Sequence, residues 1–130
     1  MLFRSRSQMA EGIARHYFGD RFEVFSAGTH PSFVHPYAII VMAELGVDIS
    51  GHRSKSVNEF RDFPVDYLLT VCGYADQRCP VFPGFGTRVH WGFEDPVSAS
   101  LDIDVVLDEF RAVRDAIVRK FFAEWETTFT

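Results

Sequence analysis

The stretch SRSQMAEG, residues 5–12, reads as the first turns of a helix lying behind an anion-binding loop, and the rest of the chain can be ordered around it. Met9, Ile13 and Tyr17, with Ala10 and Ala14, recur at three- and four-residue steps. The spacing predicts a helix over 7–17, capped by Ser5 or Ser7 and ended by Gly19-Asp20. At its start, unpaired backbone N–H groups and the positive end of the helix dipole attract anions. The Arg6 guanidinium fork can hold two oxygens of a tetrahedral oxyanion, and phosphate and arsenate both have that shape. Taken alone, a solvated arginine beside a frayed terminus is the commoner reading of Arg6.

Downstream, FEVFSAG (22–28) alternates and then runs apolar, as a strand does, with Gly28 and Pro31 marking the loop after it. PYAIIVMAEL (36–45) is a helix with Pro36 in its first turn and Gly46 as its stop. A short helical piece over 57–60 precedes a strand, YLLTVC (67–72). The proline- and glycine-rich CPVFPGFG leads to a short strand over 88–91, and WGFEDP is a loop leaving its carboxyl end. In the last element, a long helix, Ile103, Leu107, Phe110, Val113, Ile117 and Phe121 keep the helical period. Asp102, Asp104 and Asp108 crowd its beginning, where the dipole favours negative charge.

Strands alternating with helices predict an α/β fold: a small, mainly parallel sheet with helices on both faces. Ligands in such folds sit beyond the carboxyl ends of the strands. The loops after Ser26, Cys72 and Trp91 therefore fall on one rim, beside the start of the first helix.

The length of 130 residues, 47% of them hydrophobic and 24% charged, with fourteen Phe, suits one packed domain over 1–130. A net charge of −5 argues against a nucleic-acid backbone or an anionic membrane as the main partner, since both need a basic face. No run approaches the roughly 18 apolar residues of a membrane helix, and no basic segment with an apolar signal core opens the chain, so the expected location is the cytoplasm.

Two cysteines are too few for a disulfide framework. Cys72 ends a strand, and the six-residue loop GYADQR separates it from Cys79. Bridging needs Cα atoms within about 7 Å, which a strand end and a loop reach only after rearrangement, so a disulfide here would be switch-like. Two inert thiols fit the spacing equally well. Neither the spacing nor the surrounding residues suggest zinc or any other metal centre held by cysteines. Asp95, in EDP on the same rim, could protonate an oxygen leaving an anionic substrate, or could simply be a turn aspartate before proline. His90 is read as a strand residue, and His16, His30, His35 and His52 as surface or loop residues.

Together, RSQMAEG, SAGT, VCGYADQRC, CPVFPG, HWGFEDP and FRAVRDAI resemble the thioredoxin-coupled arsenate reductases of the low-molecular-weight tyrosine phosphatase fold, over nearly the whole chain. The resemblance implies reduction of arsenate to arsenite through a cysteine relay. In that family a Cys-x5-Arg loop holds the oxyanion, its first cysteine attacks arsenate as a thiolate, and an aspartate assists the departing oxygen. Arg6, followed by Ser7, matches the oxyanion-binding end of that loop, and Asp95 matches the aspartate. The resemblance further implies that Cys72 attacks the cysteine–arsenic adduct and that Cys79 attacks Cys72 in turn, leaving a Cys72–Cys79 disulfide for thioredoxin. Glu11 and Ser26 match positions that bind a potassium ion in some members; no tightly bound cofactor is implied.

One departure from the family is plain. Counting back six positions from Arg6 runs off the chain, so the loop nucleophile has no counterpart among these residues. Ser5 does not replace it, because the nucleophile belongs five residues further back and a hydroxyl without an adjacent base is a poor nucleophile. The expectation is a chain inactive or nearly so by itself, either because the true start lies upstream or because the loop was deleted. In the family the first strand is central, so the fold is expected with that strand truncated. About four aliphatic side chains would lose their cover, at roughly 1.5–3 kcal/mol each. Against a domain stability of about 5–15 kcal/mol, that predicts a dimer through the uncovered sheet or a loosened N-terminal region. The alternatives are a phosphotyrosine phosphatase, in which Cys72 and Cys79 would have no purpose, and a non-catalytic remnant that binds an oxyanion or a protein.

Overall fold

The computed structural model describes residues 5–20, 22–24, 27–28, 34–52, 55–56, 66–71, 87–93 and 101–129. The apolar stripe read at the N-terminus does form a helix, α1 (Ser5–Phe18), with Met9 and Ile13 fully buried and Ala10 and Ala14 nearly so. Tyr17, the last member of that stripe, is exposed, and Phe18 turns inward instead, stacking on Trp125 at 3.9 Å between ring centroids.

Between α1 and the second helix, only Ala27–Gly28 (β1) pairs as a strand. Phe22 to Val24, expected to begin that strand, lie outside it, and the Val24 carbonyl accepts from Arg15, whose Nε is 3.0 Å away and whose Nη2 also donates. An arginine fork thus takes the bond that a neighbouring strand would otherwise supply. β1 runs parallel to Lys55–Ser56 (β2), a short strand that the sequence pattern did not suggest.

The second helix, α2 (Pro36–Ala43), starts as expected at Pro36. His35 is its N-cap, its Nδ1 accepting from the Tyr37 N–H at 3.1 Å, which corrects the reading of His35 as a plain loop residue. Past its end, Gly46 has φ +77°, the left-handed conformation that favours glycine.

β3 (Tyr67–Thr70) and β4 (Thr87–His90) pair in parallel from Tyr67 opposite Thr87 to Thr70 opposite His90. The expected parallel arrangement therefore holds within each pair, but the described strands form two two-stranded sheets and not one continuous sheet. The helical piece expected over 57–60 lies outside the described residues.

The chain closes with α3 (Ile103–Phe129), whose first turn is held by a hydrogen bond from the Asp104 N–H to Asp102 Oδ1 at 2.9 Å. Its predicted apolar face is buried from Phe110 onward, through Val113, Ile117, Phe121 and Trp125. Ile103, at the start of that face, is exposed, while Val106 and Leu107, one turn on, pack partly buried against the core.

The three helices pack on one another. Between α1 and α3 the contact is aromatic, Phe18 on Trp125 and Tyr17 on Phe122, and Phe22 and Trp91 from outside α1 also pack on α3, against Trp125 and Phe121, each at 5.0 Å. Between α2 and α3 it is an ionic clamp. The buried Arg114 donates from Nη1 to the Val41 carbonyl at 2.8 Å and to Glu44 Oε1 at 2.7 Å, while Arg111 Nη2 meets Glu44 Oε2 at 2.9 Å. Hydrogen bonds from Arg111 and then Arg114 pull the Glu44 carboxyl down to about 2.

α1 also lies close to the segment after α2. A Cβ placed on Gly12 would fall 2.7 Å from Ile49 Cγ2, so this glycine is what permits the approach.

Candidate oxyanion site

Two pieces of chain far apart in sequence build the site: the first turn of α1 and the segment leaving β4. Arg6, half-buried, donates from Nη1 to the Phe93 carbonyl at 3.0 Å. Trp91 to Phe93 leave the carboxyl end of β4, so the Arg6 guanidinium meets the segment that follows that strand. Ser7 is half-buried on the same helical turn. β3 delivers the chain to the same end, since Thr70 lies level with His90 and the buried Val71 immediately precedes Cys72. Cys72, Cys79, Asp95 and Ser26 themselves lie outside the described residues.

One helical turn deeper, Glu11 is buried between Arg15 and His52. Arg15 Nη2 lies 3.2 Å from Oε1, and His52 Nδ1 lies 3.1 Å from Oε2, at ion-pair distance but outside hydrogen-bond alignment. His52 lies in a loop as read, and what the sequence did not indicate is its place beside Glu11. The only local sign in the sequence was Gly12, which lets the segment carrying Ile49 and His52 come close to α1. Gln8, fully buried and three residues before Glu11 on the same helix face, has neither carboxamide atom hydrogen-bonded among the described residues. His90 is exposed at the end of β4, in keeping with a strand residue. Among the described residues no three His, Cys, Asp or Glu side chains gather as a metal centre would require.

Chemically, a guanidinium fixed by a backbone carbonyl beside the free N–H groups of a helix start is suited to an oxyanion. Residues 4–126 match the low molecular weight phosphotyrosine protein phosphatases. The chain belongs to this family. Within it, the chain is 42% identical over 121 residues to an arsenate reductase of Halalkalibacterium halodurans, covering 92% of this chain and 87% of that relative. A solved arsenate reductase in the phosphate binding state superposes with a TM-score of 0.76 at 32% identity, covering 95% of this chain and 89% of that one. A thioredoxin-dependent arsenate reductase of Corynebacterium glutamicum superposes with a TM-score of 0.56 at 28% identity, over 92% of this chain and 57% of that one. The likeness to arsenate reductases drawn from the sequence motifs is thereby borne out, and the chain is a member of the arsenate reductase branch of the family.

Proposed function

We propose that this family member is an arsenate reductase scaffold of the thioredoxin-coupled type, with Arg6 and the N-terminal turn of α1 holding the oxyanion. The Arg6–Phe93 hydrogen bond carries this reading, because it ties the anion-binding turn to the loop that bears Asp95. In the reaction, a loop thiolate displaces one arsenate oxygen, which leaves as water with a proton from Asp95. Attack by the Cys72 thiolate then releases arsenite, the two electrons coming from the two thiols as they join in a disulfide. Cys79 attacks Cys72, freeing the first thiol, and the Cys72–Cys79 disulfide is returned to two thiols by the dithiol of a cytoplasmic thioredoxin.

No cysteine precedes Arg6 in these 130 residues. In this reading Arg6 and the first turn of α1 supply the anion cradle, Cys72 and Cys79 supply the relay, and the attacking thiolate belongs to the loop position before Arg6. Glu11 and Ser26 offer the hard oxygens an alkali cation prefers. The described part of that pair is a buried carboxylate already paired with Arg15 and lying beside His52, so potassium would act there by competing for Glu11 and stiffening the base of the site.

The test is arsenate-dependent NADPH oxidation through thioredoxin and its reductase, on this chain and on one preceded by a strand and Cys-x5-Arg loop. Activity only in the extended protein supports the proposal. Activity in neither overturns it in favour of a binding protein, and aryl phosphate hydrolysis that survives Cys72→Ser would instead assign a phosphatase.

A further inference from the structure

The start of α2 is held by a side chain that titrates. α2 is eight residues long, PYAIIVMA, and carries no charged side chain to offset its dipole or to brace it with ion pairs. A helix this short depends on its ends and its packing. Pro36 has no N–H, so the Tyr37 N–H is the first donor that needs a partner. His35 supplies it. Its backbone is extended, with φ −65° and ψ 132°, and its carbonyl accepts the first helical bond from the Ile39 N–H at 3.2 Å. Its Nδ1 accepts from the Tyr37 N–H at 3.1 Å. Asparagine, aspartate and serine cap most helices, and none of them loses its accepting atom between about pH 5 and 8, where an imidazole does.

An imidazole nitrogen accepts a hydrogen bond only while it carries no proton. We propose that His35 is an acid-sensitive cap: protonation at Nδ1 breaks its bond to the Tyr37 N–H and loosens the first turn of α2 from α3. The contact released is aromatic. Phe110, fully buried on α3, lies 4.7 Å from the His35 ring and meets Tyr37 edge-on at 5.9 Å. With the proton in place, the Tyr37 N–H has lost its acceptor and a positive charge stands at the positive end of the helix dipole.

The charges of the neighbouring elements are engaged elsewhere. α1 meets α2 toward its other end, where Gly12 lies against Met42, and Glu11 is paired there with Arg15. On α3, Arg111 and Arg114 are bound to Glu44, just past the last turn of α2. Glu109 and Arg111, which flank Phe110 in the chain, leave α3 about 100° to either side of it. Tyr37 is itself titratable and lies in ring contact with His35, centroids 5.2 Å apart. Cation–π attraction to Tyr37 and Phe110 favours an imidazolium, whereas the lost hydrogen bond, the dipole and the half-burial of the ring all act against it. The folded state therefore resists a proton that the unfolded chain takes up near the ordinary imidazole value of about 6.5. Lowering the pH through that range favours unfolding.

Urea unfolding of the full chain, of His35→Asn and of His35→Ala, at about pH 8 and pH 5, tests the proposal. Asparagine caps without titrating. The other four histidines are common to all three proteins, so differences between them report on His35. At the higher pH the natural chain and His35→Asn should share a midpoint, with His35→Ala about 0.5 M lower. At the lower pH His35→Asn should keep its lead over His35→Ala, and the natural chain should fall to the level of His35→Ala. In the natural chain the Tyr37 amide proton resonance should also titrate across this range, and in His35→Asn it should stay still. A natural chain whose midpoint tracks that of His35→Asn at both pH values overturns the proposal. So does a His35→Ala variant as stable as the natural chain at the higher pH, and so does a Tyr37 resonance that does not move in the natural chain.

Discussion

Arg6, on the first turn of α1, donates to the carbonyl of Phe93, eighty-seven residues away in sequence, across 3.0 Å. The bond fixes the direction of a guanidinium whose planar fork is what an oxyanion requires. Arg6→Lys keeps the charge and loses the fork. Phosphate or arsenate binding by titration calorimetry is therefore expected to weaken about tenfold or more, with helical content unchanged. Equal affinity in the two proteins would remove Arg6 from the site.

The redox reading makes a covalent prediction. Mild oxidation by diamide should link Cys72 to Cys79 within one chain, at a mass loss of two hydrogen atoms, which diamide takes up, and thioredoxin should reverse it. Cys79→Ser should abolish the intrachain link. Peptide mapping that finds only intermolecular disulfides, or none, would leave the pair without a relay role.

Acid should loosen the α2–α3 clamp. Glu44 has its carboxyl lowered from an ordinary 4.5 to about 2 by the hydrogen bonds from Arg111 and Arg114. A depressed folded-state value contributes stability that is fully present above about pH 4.5 and lost as the pH falls toward 2. In parallel urea titrations, the advantage of the natural chain over Glu44→Gln should be constant from pH 7 to about 5 and should shrink steadily below that. An advantage that does not change with pH would mean the clamp is not ionic.

Gly12 tests the close packing beneath the site. An alanine there must displace Ile49 Cγ2, which is 2.7 Å from the added carbon, with Met42 Cε at 3.2 Å and Val47 Cγ1 at 3.3 Å. Overpacking of this kind costs about 1–3 kcal/mol. Gly12→Ala should lower the urea midpoint accordingly, and because Glu11 and His52 flank the contact, it should also weaken anion binding.

Potassium offers a ligand-removal experiment. If Glu11 and Ser26 hold the ion, the melting temperature should be higher in potassium chloride than in choline chloride of equal ionic strength, and Glu11→Gln should erase the difference. Identical melting of the natural chain in both salts would dismiss the cation site.

The helices were legible because their signals are local. The stripe of Met9 and Ile13, Pro36 at the start of α2 with Gly46 after it, and the row from Phe110 to Phe121 each lie within a few turns of chain, where side-chain periodicity directly reports burial. Strands β1, β3 and β4 were legible in place but not in extent, and β2 was not legible at all. Phe22 to Val24 has a strand pattern, yet pairing needs a neighbour, and Arg15 takes the Val24 carbonyl instead. The contacts of His35 and His52 escaped for a related reason: a cap and a close approach to a carboxylate are set by what the fold brings alongside, which for His52 is a glutamate forty-one positions earlier.

By itself the sequence determined the family, the helices and the identity of the chemically able residues, since motif order, spacing and composition are properties of the linear chain. Tertiary structure alone decided that Arg6 reaches Phe93, that Glu11 lies between Arg15 and His52, and that Glu44 of α2 meets Arg111 and Arg114 of α3. Each of these depends on distances of a few ångströms between segments that no local pattern couples, and only the packing of one element against another sets them.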